Sequence, residues 1–418
     1  MHKFDKTRLI LIIAILLGLL LRINAWREST KVSVLTQSTD SVMYNTLAKN
    51  LLNGKGYVGC DHMIAREGKP TAFYAPTYPL YLAFIYGLFG PSERAALISQ
   101  ILIALATVLL VYFLAKHAYG KMEGSIAALI FACIPQIIHY NYLLISETLY
   151  MFLELSLLIL AVTILNKERP TVFSMVITGF LFGVTYLCRQ VIVTFPIVFL
   201  PIFWFLHKGS AVKRLAKYTI IFSIAAVLVI TPWAVRNYMV FGVPIIGATT
   251  GPATLWWGTI ESKGQELKTL VDRYREKYAN KNEYQLSQMM VRDAEKNLQR
   301  MSYRKKLGLF WLRFKELFGM PERLDLRSSQ TLCSFSYVIL ALLGTIGLFI
   351  SSRVRHDRLL LGLIVLLTMV IYILTLGVFR YLMPLVPLLI IGFVGLLSRI
   401  ASALITLIRA NSDGLTEP

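Results

Sequence analysis

The sequence predicts an all-α polytopic membrane protein of about ten transmembrane helices, with amphipathic surface helices in two large outer loops. Hydrophobic residues make up 56% of the 418-residue chain, and the mean hydropathy is +0.61. Apolar runs of about 20 residues, the length that crosses a hydrocarbon core, recur along the chain. Basic residues fall in alternate short connections between these runs, as the positive-inside rule requires of a membrane protein.

The predicted spans share this length and this composition. They cover residues 8–26, 93–115, 122–140, 143–165, 171–188, 190–207, 218–235, 331–350, 359–379 and 382–408. Basic residues precede the first span, and Ile23-Asn24-Ala25 is a poor cleavage site. We therefore expect this span to be an anchor rather than a removed signal peptide.

The net charge of +20 would favour a nucleic-acid partner in a soluble protein, but here the charge follows the membrane topology. The short basic loops contain Lys116, Lys121, Lys167, Arg169, Lys208, Lys213, Arg214, Lys217, Arg353, Arg355 and Arg358. These loops and both termini are predicted to be cytoplasmic. We therefore expect a multi-pass protein of the inner (plasma) membrane, no nucleic-acid partner, and an active site on the periplasmic or extracellular side.

The cysteines and histidines do not predict a metal centre. Cys133, Cys188 and Cys333 lie in or near apolar runs, and Cys60 is alone in the first outer loop, so no disulfide framework is indicated. The six histidines have no paired spacing, which argues against a zinc site. No cofactor is indicated, and a divalent metal ion stays open but unsupported.

The chain is interpreted as a single integral-membrane domain, residues 1–418, with two outer loops at 27–91 and 237–329. In the first loop Val42, Met43, Leu47 and Leu51 repeat at helical spacing. Ser38 or Thr39 can cap this helix, and Asn53-Gly54 ends it. A helix with one apolar face is predicted to lie along the membrane surface.

The second outer loop is predicted to be helical from about Glu283 to Arg304, with a solvated charged face over 272–304. Its last part has the pattern of an interfacial amphipathic helix. The apolar residues are Leu307, Phe310, Trp311, Phe314, Leu317 and Phe318, and the interleaved cations are Lys305, Lys306, Arg313 and Lys315. A soluble helical mini-core is the alternative for this loop.

Charged residues that border membrane spans are costly and so point to function. Five lie at predicted outer ends, namely Asp40, Glu147, Arg189, Arg236 and Arg380. Structural alternatives stay open for each of them. Asp40 can stabilise a helix N-terminus. Glu147 can form a structural pair with Arg189, with Glu154 on the same helix face as a buried hydrogen-bonded partner. Arg236 and Arg380 can be interfacial anchors.

Together these residues suit sugar transfer from a lipid phosphate. The acceptor must lose a proton to a base, and cations must hold the phosphate as charge develops on it. We predict Asp40 and Glu147 as catalytic residues, with Asp40 as the base and Glu147 orienting the site through Arg189. The predicted donor-phosphate ligands are Arg380, Arg236, Arg189 and Tyr381.

Several short motifs occur in an order typical of one enzyme family. They are Asp40 to Tyr57, Thr77-Tyr78-Pro79-Leu80-Tyr81-Leu82-Ala83, Ser146-Glu147-Thr148-Leu149, Pro232-Trp233 with Arg236-Asn237-Tyr238, and Arg380-Tyr381-x-x-Pro384. On these motifs the chain resembles the C-type (GT-C) glycosyltransferases, in the bacterial branch related to protein mannosyltransferases and the lipid A aminoarabinose transferase. The resemblance implies that Asp40 is the catalytic carboxylate of the first outer loop and that Arg380 faces the phosphate of a polyprenyl-phosphate sugar.

We also place Tyr44, Tyr57, Lys69 and Tyr78 in the substrate loop. Two departures from the family pattern leave metal dependence and acceptor class open. Many relatives have a second acidic residue where this chain has Ser41, and many have a longer C-terminal part.

The predicted function is an inverting glycosyltransferase that moves a sugar from a polyprenyl-phosphate donor to a lipid, glycan or protein acceptor at the outer face of the membrane. One alternative is an O-antigen ligase or polymerase-like enzyme with a lipid diphosphate donor. The large outer loop of the ligases usually carries a functional histidine, and residues 208–355 contain none. The other alternative is a secondary transporter, whose binding residues would lie near the bilayer midplane within repeats.

The topology predicts which side each loop faces. In a variant lacking the four native cysteines, a cysteine placed near Lys55 or Lys281 should react from outside with a membrane-impermeant thiol reagent. A cysteine near Lys213 or Arg355 should react only after the membrane is permeabilised. The opposite labelling pattern would contradict both the topology and the placement of the site.

Overall fold

The fold was analysed in a computed structural model, which describes residues 6–29, 38–168, 170–209, 211–260, 264–321, 329–350 and 356–413. The first nine α-helices are α1 (Lys6–Ser29), α2 (Thr39–Leu52), α3 (Thr77–Phe89), α4 (Glu93–Ala118), α5 (Lys121–Ala132), α6 (Pro135–Tyr140), α7 (Glu147–Leu165), α8 (Val172–Tyr186) and α9 (Thr194–Leu206). The next nine are α10 (Val212–Phe241), α11 (Thr250–Gly258), α12 (Gly264–Lys277), α13 (Glu283–Arg300), α14 (Tyr303–Leu317), α15 (Ser329–Phe349), α16 (His356–Thr375), α17 (Phe379–Leu382) and α18 (Val386–Asp413). Short 3-10 turns at Gln190–Val193 and Met383–Leu385 precede α9 and α18.

The predicted all-α polytopic membrane fold is confirmed. Among the described residues, seven helical segments are long and apolar enough to cross a membrane, and they correspond to α1, α4, α7, α10, α15, α16 and α17–α18. The three other predicted spans are helical but shorter. The span at 122–140 is divided into α5 and α6 before Pro135, which occupies the first position of α6. Of the basic residues used for the topology, Arg169, Arg353 and Arg355 lie outside the described residues.

Glycines allow two of the long helices to pack closely. A Cβ on Gly347 of α15 would lie 1.9 Å from the carbonyl oxygen of Gly392 in α18, and one on Gly344 would lie 2.3 Å from the carbonyl oxygen of Leu389. Small residues bring membrane helices into backbone contact in this way. The contact fixes α18, which directly follows α17 and its Arg380.

The predicted helix of the first outer loop is confirmed as α2, which starts after the N-cap residue Ser38 and ends at Asn53. Gly54 follows with φ +69°, a left-handed conformation that glycine adopts without strain. The position of α2 along the membrane surface stays a prediction, and part of its apolar face is buried within the protein. Met43 and Leu47 have no exposed area and belong to an apolar cluster shared with the second outer loop.

The second outer loop contains both a small core and a more exposed helix. Leu286, Met290 and Ala294 of α13 are fully buried, as the mini-core alternative expects. In α14, Trp311 is 59% exposed, but Arg313 is buried and donates to the carbonyl oxygen of Gly258 at 2.8 Å. Arg313 is therefore not an interfacial cation, because its guanidinium satisfies carbonyl groups at helix ends instead.

Candidate active site

Four charged residues from distant parts of the sequence meet at one end of the helical bundle. Asp40 lies in the first turn of α2 and Glu147 is the first residue of α7. Arg189 precedes the 3-10 turn before α9, and Arg380 lies in α17. Both carboxylates occupy helix N-termini, where the helix dipole favours negative charge. Four of the five charges predicted at outer ends therefore come together.

Asp40 is held by three side chains from other elements. Its Oδ2 atom lies 2.6 Å from Nη1 of Arg380, and its Oδ1 atom accepts a hydrogen bond of 2.7 Å from the hydroxyl of Tyr74. Nε2 of His62 lies 3.2 Å from the same Oδ1 atom. Ser38, and not Asp40, is the N-cap residue of α2. The carboxylate of Asp40 instead contacts side chains of other elements.

These contacts keep Asp40 ionised. Burial would raise the pKa of Asp40, but the hydrogen bond that a protonated His62 donates, the charge of Arg380 and the hydrogen bond from Tyr74 hold this pKa below its usual range. Burial and the nearby Asp40 charge raise the pKa of Tyr74, so its phenol stays protonated and donates. A carboxylate with a lowered pKa is a weak base, so the basicity of Asp40 depends on His62, Arg380 and Tyr74.

Glu147 bridges two arginines. Its Oε1 atom lies 2.9 Å from Nη1 of Arg189 and 2.9 Å from Nε of Arg380, so the expected contact with Arg189 is present. Neither approach has hydrogen-bond alignment, and the carboxylate therefore holds both cations chiefly by charge. The side chain of Glu147 is only 2% exposed. At such depth a charge must be paired, and the second arginine connects Glu147 to Asp40.

Aromatic rings and a third acidic residue, Glu154, lie around this cluster. The guanidinium of Arg189 lies 5.2 Å from the ring centre of Tyr381, which stacks on Tyr372 at 5.1 Å. This is a cation–π arrangement. Glu154 lies deeper on α7 and is buried, with its Oε1 atom 3.5 Å from the hydroxyl of Tyr150. Tyr381 therefore contacts the cluster as predicted, although its role as a phosphate ligand remains a prediction.

Arg236, the fifth predicted charge, contacts a different part of the first outer loop. It donates to the carbonyl oxygens of Thr71 at 2.7 Å and Tyr57 at 3.0 Å. Its guanidinium lies 5.4 Å from the ring centre of Tyr57 and 5.3 Å from that of Trp233. The hydroxyl of Tyr57 in turn donates to the carbonyl oxygen of Tyr74 at 2.9 Å. Arg236 thus fixes the backbone of the segment that supplies Tyr74 to Asp40.

A cavity of about 530 Å³ lies beside this arginine. Its lining is largely apolar, with Lys55 and Arg236 as its cations. The other lining residues are Leu51, Gly56, Tyr57, Val58, Pro70, Pro76, Leu80, Leu187, Val229, Pro232, Trp233 and Val240. Leu187 lies two residues before Arg189, and Pro76 lies two residues after Tyr74, so the cavity reaches segments that carry site residues. These two segments are joined by a hydrogen bond from the amide of Thr77 to the carbonyl oxygen of Leu187.

The remaining substrate-loop residues have different surroundings. The ring of Tyr44 stacks on Tyr74 with centres 4.4 Å apart and meets Tyr78 edge-on at 4.8 Å. Tyr78 is buried and donates to Oε1 of Gln100 at 2.5 Å. Lys69 is exposed on the loop surface. Tyr44 and Tyr78 therefore pack beneath the site, and the substrate roles of all four predicted loop residues remain predictions.

Sequence inspection missed three residues that support Asp40, namely His62, Tyr74 and Glu283. Glu283 accepts hydrogen bonds from the hydroxyls of Thr71 at 2.5 Å and Thr249 at 2.6 Å, and from the amide of Ala72 at 2.9 Å. Burial raises the pKa of Glu283, and these hydrogen bonds oppose that rise. The carboxylate of Glu283 thus joins the second outer loop to the part of the first outer loop that directly precedes Tyr74. A single Glu or His without a local pattern offers no sequence signal for such a contact.

Within the described ranges, no group of three or more His, Cys, Asp or Glu side chains is placed to hold a metal ion.

This chain is similar to a family of known enzymes and to solved membrane proteins. Residues 70–235 match the family model described as dolichyl-phosphate-mannose-protein mannosyltransferase. No curated protein matches the chain. The archaeal oligosaccharyltransferase AglB from Archaeoglobus fulgidus, solved with an inhibitory peptide and a dolichol-phosphate, matches with a TM-score of 0.59 and 16% identity over 100% of this chain and 52% of that one. The chain has the GT-C fold.

Two further structures are similar. The Archaeoglobus fulgidus oligosaccharyltransferase tethered to an acceptor peptide with the NVT sequon has a TM-score of 0.53 at 14% identity, over 94% of this chain and 49% of that one. ArnT from Cupriavidus metallidurans bound to undecaprenyl phosphate has a TM-score of 0.39 at 15% identity, over 85% of this chain and 73% of that one. This GT-C chain spans about half the length of the oligosaccharyltransferase structures. The expected resemblance to the GT-C group is confirmed.

The ion pair between Glu147 and Arg189 should appear as energetic coupling. Glu147→Gln should lower the free energy of unfolding by about 3–5 kcal/mol, because it leaves Arg189 without its acidic partner. Arg189→Gln should lower it by less, because Glu147 keeps its contact with Arg380. The double variant should lose less than the sum by about 1–3 kcal/mol. The matched control is Glu147→Gln with Arg236→Gln, which should be additive within about 0.5 kcal/mol. Additivity in the first cycle would contradict the contact.

Proposed function

We propose that this chain is an inverting glycosyltransferase that moves a sugar from a polyprenyl-phosphate donor to a lipid, glycan or protein acceptor. The proposed site is the cluster of Asp40, Glu147, Arg189 and Arg380, on the periplasmic or extracellular side of the inner membrane. Asp40 is the general base, and Arg380 binds the donor phosphate. The observation that carries the proposal is the contact of one arginine, Arg380, with both carboxylates.

This contact couples donor binding to base strength. A phosphate that binds Arg380 adds negative charge next to Asp40 and draws the guanidinium away from it. Both effects raise the pKa of the carboxylate, because a nearby anion disfavours its charged form. Asp40 thus becomes a stronger base only when the donor is present.

The reaction is a single displacement. Asp40 takes the proton from the acceptor hydroxyl or amide as the acceptor attacks the anomeric carbon. The bond between that carbon and the phosphate oxygen breaks, and its electron pair leaves on the lipid phosphate. Arg380 and Arg189 stabilise the charge that grows on the phosphate. Attack opposite the leaving group inverts the anomeric configuration.

The cavity beside Arg236 supports a lipid-linked donor. Its apolar walls suit an isoprenoid chain, and its two cations, Lys55 and Arg236, suit an anionic head group. Pro76 lines this cavity, and Tyr74, two residues earlier, donates its hydroxyl hydrogen to Asp40. The comparison proteins are consistent with this chemistry, since the AglB structure contains a dolichol-phosphate.

The proposal is tested with purified protein and a polyprenyl-phosphate sugar, by measuring release of the lipid phosphate with candidate acceptors and the anomeric configuration of the product. Asp40→Asn should lower turnover by about 100- to 10,000-fold. Arg380→Ala should lower it by roughly 10- to 150-fold, the equivalent of a charge-assisted hydrogen bond of about 1.5–3 kcal/mol. Arg380→Lys should be intermediate, because lysine keeps the charge but not the two-pronged geometry.

Arg304→Ala, an exposed arginine at the start of α14, is the matched control and should leave turnover unchanged. Normal turnover of Asp40→Asn would refute the base. Activity with a lipid diphosphate sugar and none with the monophosphate would favour the ligase-like alternative.

A further inference from the structure

His62 is presented to Asp40 by a tight turn in the first outer loop. The amide of Ala65 donates to the carbonyl oxygen of His62 at 2.9 Å, and the amide of His62 donates to the carbonyl oxygen of Ala65 at 3.3 Å. Between them Met63 has φ +50°, the only positive φ of a non-glycine residue among the residues described. Such a conformation is unusual for a residue with a side chain. The turn therefore holds His62 in place at a conformational cost.

The imidazole lies against the candidate base. Its Nε2 atom is 3.2 Å from Oδ1 of Asp40 and 3.1 Å from the hydroxyl of Tyr74. The ring of Phe73 packs against it edge-on at 5.1 Å. The side chains of His62 and Asp40 are similarly enclosed, at 13% and 15% exposed, so the ring and the carboxylate each keep a small contact with solvent.

We propose that His62 accepts the proton that Asp40 takes from the acceptor. This inference rests on the proposed function, in which Asp40 is the base. The acceptor proton moves to a carboxylate oxygen of Asp40 as the new glycosidic bond forms. A neutral His62 that carries its hydrogen on Nδ1 has a free lone pair on Nε2, and this atom then takes the proton from Oδ1 of Asp40, which restores the carboxylate and yields an imidazolium. The imidazolium loses the proton to water, and the site is ready for the next turnover.

The neighbours of Asp40 single out His62 for this step. Arg380 is always protonated and cannot accept a proton. Tyr74 donates its hydroxyl hydrogen to Asp40 and has a pKa raised by burial. A neutral imidazole has a basic nitrogen and gains or loses its charge near neutral pH. The charged and titratable groups that face His62 are thus Asp40, Tyr74 and, beyond Asp40, Arg380, with Asp61 adjacent in the chain.

The test is the pH dependence of turnover in the wild type, His62→Gln and His62→Ala. Wild-type turnover should fall as the pH drops through the range where histidine is protonated, because an imidazolium cannot accept a proton. Both variants should lose this acid limb and turn over about 100-fold more slowly, with the donor KM unchanged. Added imidazole should restore part of the turnover of His62→Ala, a rescue that a purely structural role does not produce.

The matched control is His356→Gln, a histidine at the start of α16, which should keep both the rate and the pH profile. A His62→Gln enzyme with a wild-type rate and acid limb overturns the proposal. Loss of donor affinity without loss of turnover also overturns it and assigns His62 to binding. If Asp40→Asn keeps its turnover, the proposed function itself fails; if Asp40→Asn is inactive while His62→Gln is normal, only the proton transfer to His62 fails.

Discussion

The contact of Arg380 with Asp40 and Glu147 is the interaction on which the rest of the site depends. It joins the first outer loop, the start of α7 and the segment before α18 through atoms 2.6 and 2.9 Å apart. Glu147 is the buried member of this group, and loss of the partner of a buried charge typically costs about 3–5 kcal/mol. Together with His62 and Tyr74, the same contact holds the pKa of Asp40 below its usual range. Structure and chemistry thus depend on one guanidinium.

The second outer loop makes this arrangement possible. Glu283 binds Thr71, Ala72 and Thr249, and Arg236 binds the carbonyl oxygens of Thr71 and Tyr57. These bonds fix the segment that ends in Tyr74, whose hydroxyl reaches Asp40. Of these residues, Tyr57 and Arg236 also line the apolar cavity. Two loops that are far apart in sequence therefore behave as one platform over the helices.

Much of the fold could be predicted from the sequence, because hydrophobic length and periodicity are local properties. Asp40, Glu147, Arg189 and Arg380 could be selected because each charge lies at the end of an apolar run. The other contacts depend on the tertiary arrangement. Arg236 has the same local signature but turns toward the loop backbone, and Arg313 is buried because helix-end carbonyl groups surround it. His62 and Glu283 become recognisable only when the first loop is folded against α2 and α13.

The most direct test of the central claim is the affinity of wild type and Asp40→Asn for a polyprenyl phosphate, measured by titration at neutral pH. If Arg380 is shared between Asp40 and the donor phosphate, removal of the carboxylate charge frees the guanidinium for the phosphate. Asp40→Asn should then bind the lipid phosphate roughly tenfold more tightly, about 1.4 kcal/mol, while it loses turnover. Weaker or unchanged binding by Asp40→Asn would contradict the competition between Asp40 and the donor for Arg380.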